Sequence, residues 1–233
     1  MTSTQPEPVD IALELADPHC LTEEAMDSLL AKAPWQRYVV LGDSIAEGVR
    51  EAIPGYRDAS WADRLATALR RIQPDLEYRN LGVRDLVASK VRSTQLDPAL
   101  EFRPDLAVVL AGGNDILGRT FDPDAVQTEL ARMISSLRST GCTVVTMGLF
   151  DITSSPHVPE KYRAVMKERL AVLAEHTRAV SFRMGCLYVD LPSHPCGTED
   201  IYARDGLHLN TRGHAIVATE TVRRLAEYLD TKD

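Results

Sequence analysis

Residues 37–44 read Arg37-Tyr38-Val39-Val40-Leu41-Gly42-Asp43-Ser44, and the end of this run decides how the rest of the chain is read. Residues 37–41 form a short apolar segment, as in a strand buried on both faces, the habit of parallel rather than antiparallel sheets. Gly42 then permits a tight turn, and Ser44 stands at the mouth of a helix. Two readings are open for Ser44 by itself. It is an N-cap, a common use of serine at this position, or it is a nucleophile whose hydroxyl and N–H both face a ligand.

The same alternation repeats along the chain. Residues 61–72 have the apolar spacing of an amphipathic helix, with Ser60 before it and Pro74 beyond. Residues 76–81 suggest a strand of mixed character, and residues 106–111 a better one, continuous in Leu, Val and Ala. A helix over 124–140 closes at Gly141 and is followed by a strand over 142–147. Residues 161–179 make the longest helical stretch, 186–190 a last strand, and 211–229 a final helix. Five apolar strands alternating with helices imply an α/β protein with one parallel sheet covered on both faces. Ahead of this unit, residues 1–20 read as a loose tail with scattered prolines and acids. Residues 21–33 read as a short helix capped by Thr22 and ended by Pro34. The expected division is therefore a terminal segment over 1–34 and one α/β domain over 35–233.

Composition narrows the function. The 233 residues suit one such domain, and 44% hydrophobic with 26% charged residues is ordinary for a globular protein. A net charge of −8 argues against nucleic acid as a partner, because phosphate contacts need clustered Lys and Arg. No apolar run has the length of a membrane span. Residues 1–10 lack the basic and apolar regions of an export signal, which sets the expectation of a cytoplasmic protein. Cys20, Cys142, Cys186 and Cys196 form no CxxC pair. Cys186, His194 and Cys196 lie close in sequence, so a metal site or a Cys186–Cys196 bridge stays open there, against the plainer reading as loop and core residues.

In open parallel sheets the functional residues gather at the carboxyl ends of the strands. After the first strand comes Ser44, and after the second Asn80-Leu81-Gly82. The third ends in Gly112-Gly113-Asn114-Asp115, where two glycines expose the Asn114 amide, a neutral donor suited to a developing negative charge. After the fifth comes Asp205-Gly206-Leu207-His208. Three residues across a turn let the Asp205 carboxylate accept the Nδ1–H of His208 and leave Nε2 as a base. Each motif alone has a plain alternative as a cap, a turn or a surface pair.

Taken together, Ser44, Gly82, Asn114 and His208 in that order, with Asp205, make the chain resemble the SGNH hydrolases, also called GDSL esterases and lipases. The resemblance spans residues 37–229. It implies a flavodoxin-like three-layer α/β/α sandwich with sheet order 2-1-3-4-5. It also implies a Ser44–His208–Asp205 triad, an oxyanion hole made by the N–H groups of Ser44 and Gly82 with the Asn114 amide, and ester cleavage through an acyl-enzyme that requires no metal or organic cofactor. Ile45 departs from the family's leucine, a mild apolar exchange. Arg84 and Asp85 stand where many relatives carry small residues, which leaves substrate class open. Arg84 is a candidate contact for an anionic substrate or a partner of Asp85 or another carboxylate, and Asp115 is a second candidate contact.

The loops over 48–60, 117–122 and 151–160 are expected to rim the cleft without forming a large lid. That favours a shallow, open site for short acyl or acetyl esters of a small molecule or sugar. His157 and His194 fall in loops near the cleft, whereas His176 and His214 read as structural or exposed. An acyltransferase using the same acyl-enzyme and a non-catalytic binding module on the same fold are the alternatives. The helix over 21–33 packs on the sheet's flank or serves a homo-oligomer, and sequence leaves that choice open.

Overall fold

The computed structural model describes residues 10–197 and 199–232. Its sheet is built from β1 (Arg37–Leu41), β2 (Glu77–Asn80), β3 (Leu106–Val109), β4 (Thr143–Met147) and β5 (Leu187–Val189). All pairs are parallel and the spatial order is β2-β1-β3-β4-β5. This is the 2-1-3-4-5 order expected.

The strands feed two cores because successive side chains point to opposite faces. Tyr38, Val40, Leu106, Val108, Val145 and Met147 enter one core. It is covered by α2 (Glu23–Leu30), α4 (Trp61–Ile72) and α9 (Thr211–Asp230). Val39, Leu41, Ala107, Val109 and Val144 enter the other, beneath α5 (Ala88–Phe102), α7 (Pro123–Arg138) and α8 (Glu160–Arg183). The helices start where their caps dictate. Ser60 accepts from Asp63 N–H, Asp122 from Ala125 N–H and Asn210 from Gly213 N–H, each cap worth about 1 kcal/mol.

The structure departs from the sequence reading in three places. Residues 10–20 are not loose, whereas residues 1–9 lie outside the described residues. The single turn α1 (Ala12–Ala16) is fastened by Glu14, which pairs with the buried Arg64 of α4 at 2.6 Å. Asp17, also buried, pairs with Arg212 of α9 at 2.7 Å. The second departure is α5, in a stretch to which the sequence pattern assigns no element. The third is a small parallel ladder between residues 50–51 and 209–210, in the register Arg50 to Leu209 and Glu51 to Asn210. It joins the loop after the Ser44 helix to the segment that follows His208.

Candidate active site

The turn that presents Ser44 is held by backbone geometry on one side and a single amide on the other. Gly42 has φ of 154°, and a Cβ there would lie 2.3 Å from the Leu110 carbonyl oxygen, so no other residue fits without displacement. Its N–H donates to Gln95 Oε1 at 2.7 Å and its carbonyl accepts from Gln95 Nε2 at 2.8 Å. Asp43 then caps the short helix α3 (Ser44–Glu47) by accepting from Ile45 N–H. Trp61 Nε1 grips that helix by donating to the Ile45 carbonyl at 2.8 Å. Ser44, as its first residue, donates its own N–H to no protein group among the described residues.

His208 reaches Ser44 from the far end of the chain. Its Nε2 lies 2.8 Å from Ser44 Oγ, and its Nδ1 lies 2.6 Å from Asp205 Oδ2. The turn between them is local. Asp205 Oδ1 accepts from the N–H groups of Leu207 and His208, both at 2.9 Å. Gly206 adopts φ of 73° and has no room for a Cβ against His157. Burial pushes the Asp205 carboxyl up. The hydrogen bonds from the His208 ring and from the two N–H groups outweigh that and hold it below its ordinary value. A carboxylate only accepts, so the imidazole proton sits on Nδ1 and a lone pair on Nε2 faces the serine.

The donors expected around an oxyanion are less uniformly placed. Asn114, in the turn α6 (Gly113–Leu117), lines the same cavity as Ser44 and His208. Its Nδ2 donates to the Leu86 carbonyl at 3.0 Å and makes a long contact of 3.4 Å with Asp43 Oδ2. Gly82 does not line that cavity, and its N–H is given to Asn80 Oδ1 at 2.9 Å. Its lack of a side chain serves another purpose, since a Cβ would come within 2.3 Å of Glu47 N. The loop beyond donates Val83 N–H to the Gly42 carbonyl and Arg84 N–H to Glu47. Asp85, with φ of 67°, and Leu86 keep N–H groups that no protein acceptor takes up among the described residues.

The two candidate substrate contacts are engaged elsewhere. Arg84 pairs with Glu47 at 2.7 Å and is absent from the cavity's lining. Asp115 Oδ2 accepts from Ala88 N–H at 2.9 Å and so fixes the start of α5. His157 packs against Gly206, and His176 lies 3.7 Å from Asp124. His214 is buried between Trp61 N–H, which it accepts at 3.1 Å, and the Val49 carbonyl at 3.2 Å. Burial pushes its pKa down to about 3, so the ring stays neutral. None of the four cysteines is in a disulfide, which removes the Cys186–Cys196 bridge.

His194 and Cys196 do meet, with His19 rather than Cys186, their ligand atoms within 4.8 Å of one another. His194 Nδ1 accepts from Cys196 N–H at 3.1 Å. The neutral ring then carries its proton on Nε2, which faces Glu220 at 3.6 Å. That tautomer offers a metal no free lone pair.

Sequence reasoning missed Gln95 and the wall of the cavity. Gln95 carried a signal of a kind. Ala88, Val91, Gln95, Ala99 and Phe102 recur at helical spacing on the buried face of α5, and a glutamine on such a face must find polar partners inside. The wall is built by Ile45, Phe150, Leu191 and Val217, among others, from four separate stretches of chain. No local pattern brings those together.

A serine, an imidazole and a carboxylate stand in hydrogen-bonded sequence at the carboxyl edge of a doubly covered parallel sheet, the set of groups that serine hydrolases employ. Residues 40–216 match the GDSL-like lipase/acylhydrolase family, and the chain belongs to that family as a carboxylic ester hydrolase. An arylesterase of Vibrio mimicus is 25% identical over 194 residues, which is 83% of this chain and 90% of that protein. Among solved structures, the lipase/acylhydrolase of Enterococcus faecalis superposes with a TM-score of 0.65 at 20% identity, covering 83% of this chain and 96% of the other. The acetyl xylan esterase AlAXEase gives 0.64 at 20% identity, over 79% and 97% respectively.

Among the described residues no helix is long and apolar enough to cross a membrane.

Proposed function

We propose that the protein hydrolyses esters of small molecules through an acyl-enzyme on Ser44. The observation that carries this reading is the unbroken chain Ser44 Oγ, His208 Nε2, His208 Nδ1, Asp205 Oδ2, with links of 2.8 and 2.6 Å. Ser44 Oγ attacks the ester carbonyl carbon while His208 Nε2 takes the hydroxyl proton, and the carbonyl π electrons move onto oxygen. Asp205 stabilises the imidazolium that results. As the tetrahedral intermediate collapses, the C–O bond to the alcohol breaks and His208 returns the proton to the leaving oxygen. Water then attacks the acyl-serine by the same route, and the carboxylic acid leaves. None of these steps calls for a metal or organic cofactor.

The oxyanion is held by Ser44 N–H and by Asn114 Nδ2, whose long contact with Asp43 is the one to give way. Gly82 N–H, the third donor expected, is given to Asn80 Oδ1 at 2.9 Å. Relatives named as an arylesterase and an acetyl xylan esterase support a small-molecule ester as substrate. A fluorophosphonate probe tests the reading. It is expected to modify Ser44, as located by peptide mass, and to leave Ser44→Ala and His208→Ala unmodified. Equal labelling of Ser44→Ala, or labelling at another serine, contradicts it.

A further inference from the structure

The turn that carries Asp205 and His208 is closed mainly by its own atoms. Ala203 N–H donates to the His208 carbonyl at 2.8 Å, and Gly206 N–H to the Ala203 carbonyl at 3.0 Å. The N–H groups of Leu207 and His208 go to the Asp205 carboxylate. Arg204 N–H is the exception. It donates at 2.7 Å to Oε2 of Glu51, 153 positions earlier in the chain. Among the described residues this is the one hydrogen bond by which a side chain outside residues 203–208 holds their backbone.

Glu51 belongs to the stretch that leaves Ser44. The Ser44 carbonyl accepts from the N–H groups of both Gly48 and Val49, each at 3.0 Å. Directly after them, Arg50 and Glu51 pair in parallel with Leu209 and Asn210. The ladder holds the chain just after His208, whereas the Glu51 side chain holds it just before Asp205. One stretch rooted in α3 therefore grips the turn on both sides.

The backbone bond matters more here than the ion pair. The Arg204 side chain also reaches Glu51, with Nε 2.5 Å from Oε1, but it is 87% exposed, and an ion pair in water contributes little. The bond from Arg204 N–H, with the guanidinium adding to it, holds the Glu51 carboxyl below its ordinary value. The acceptor is thus a carboxylate at neutral pH, and such charge-assisted bonds are about twice as strong as neutral ones. The negative charge of Asp205 works against this, pushing Glu51 up. Glu51 therefore also acts on Asp205 by charge, and a test must separate the two effects.

We propose, resting on the reading of Ser44, His208 and Asp205 as a hydrolytic triad, that Glu51 is a positioning residue for it. By accepting Arg204 N–H, Glu51 sets the turn that carries Asp205 and His208 at reacting distance from Ser44. It acts through that turn and not on the substrate. A displacement of about 1 Å in such a group can cost about 10²-fold in rate.

Three variants of the full chain test this, with kcat and KM measured on p-nitrophenyl acetate and folding followed by melting. Glu51→Ala removes the acceptor. It is expected to lower kcat at least about fivefold with KM within about twofold of the parent, the sign of an interaction that serves the transition state alone. The ladder is backbone and stays, so melting within a few degrees of the parent is expected. Glu51→Gln keeps a neutral acceptor for Arg204 N–H and is expected to hold kcat within about threefold. Arg204→Ala keeps the N–H and loses only an exposed guanidinium, so a change below about twofold is expected. Fluorophosphonate labelling of Ser44 is expected to slow in Glu51→Ala alone.

A smaller loss of kcat in Glu51→Ala, an effect carried by KM, or loss of its fold overturns the inference. Failure of Glu51→Gln to recover activity would make charge the cause and overturns it as well. So does a loss in Arg204→Ala equal to that in Glu51→Ala. In each of these cases a parent still labelled at Ser44 keeps the hydrolase reading. A parent that takes no label overturns both.

Discussion

Asp43 and Ser44 both border the cavity, with different partners: the Asp43 carboxylate accepts from Ile45 N–H and caps the helix, whereas Ser44 Oγ meets His208 Nε2. Burial pushes the Asp43 carboxyl up to about 6, with Asp115 adding to the rise. A carboxyl raised in the folded state holds its proton more tightly there than when unfolded. Its contribution to stability is therefore complete below about pH 4 and is lost as pH climbs through about 6. A rise of that size corresponds to about 2–3 kcal/mol. Asp43→Asn is expected to flatten the parent's decline in stability between about pH 4.5 and 7.5 by that amount, measured by denaturant melts at both pH values. An unchanged slope would show that Asp43 ionises freely in the fold. The same variant turns an amide donor toward Asn114, so slower turnover is expected alongside. Asn114→Ala, which removes a donor to the proposed oxyanion, is expected to lower kcat about 10²- to 10³-fold in steady-state assays with little change in melting.

At the scale of elements, the strands and most helices are legible in the sequence because their periods are clean and their caps are of the usual kinds. The reasons differ where reading fails. In α5 the helical spacing is present but is interrupted by a glutamine on the buried face, and Pro98 sits inside the helix, so a weakened apolar pattern and a poor propensity conceal what forms. In residues 10–20 the anchors are ion pairs to helices α4 and α9, and no local pattern reports a partner so far along the chain. The site divides in the same way. Ser44 and Asn114 stand in the turns that follow β1 and β3, and Asp205 and His208 share one turn, so local sequence offers each as a candidate, whereas a glycine such as Gly82 does not reveal which neighbour it makes room for. Gln95 supplies a prediction at this scale. Gln95→Leu keeps the bulk of the side chain but strands the Gly42 N–H, since only the carbonyl has a second partner in Val83 N–H. The expected cost is about 1–3 kcal/mol, together with a fall in kcat as the Ser44 turn loosens. A variant as stable and as active as the parent would show that the clamp is dispensable.

Across the whole molecule, the groups of the proposed triad are brought together by closure rather than by proximity in sequence. Ser44 leaves β1 near one end of the chain and His208 precedes α9 near the other, and the short ladder at residues 50–51 and 209–210 fixes one against the other. The N-terminal segment reinforces this closure by crossing to α4 and α9. Its Glu14 carboxylate is the partner of an Arg64 whose side chain is 6% exposed. Removing one member of a buried pair leaves the other charge uncompensated, at about 3–5 kcal/mol. Glu14→Ala is therefore expected to lower the melting temperature by roughly 10 °C. A change below about 2 °C would mean that the segment rests on the domain without supporting it.

The most direct test of the central claim is the turnover of Ser44→Ala on whichever p-nitrophenyl ester the parent cleaves, with folding checked by circular dichroism. A nucleophile that forms the acyl-enzyme predicts a loss of kcat of about 10⁴-fold or more in a protein that melts within a few degrees of the parent. Turnover within tenfold of the parent would contradict it.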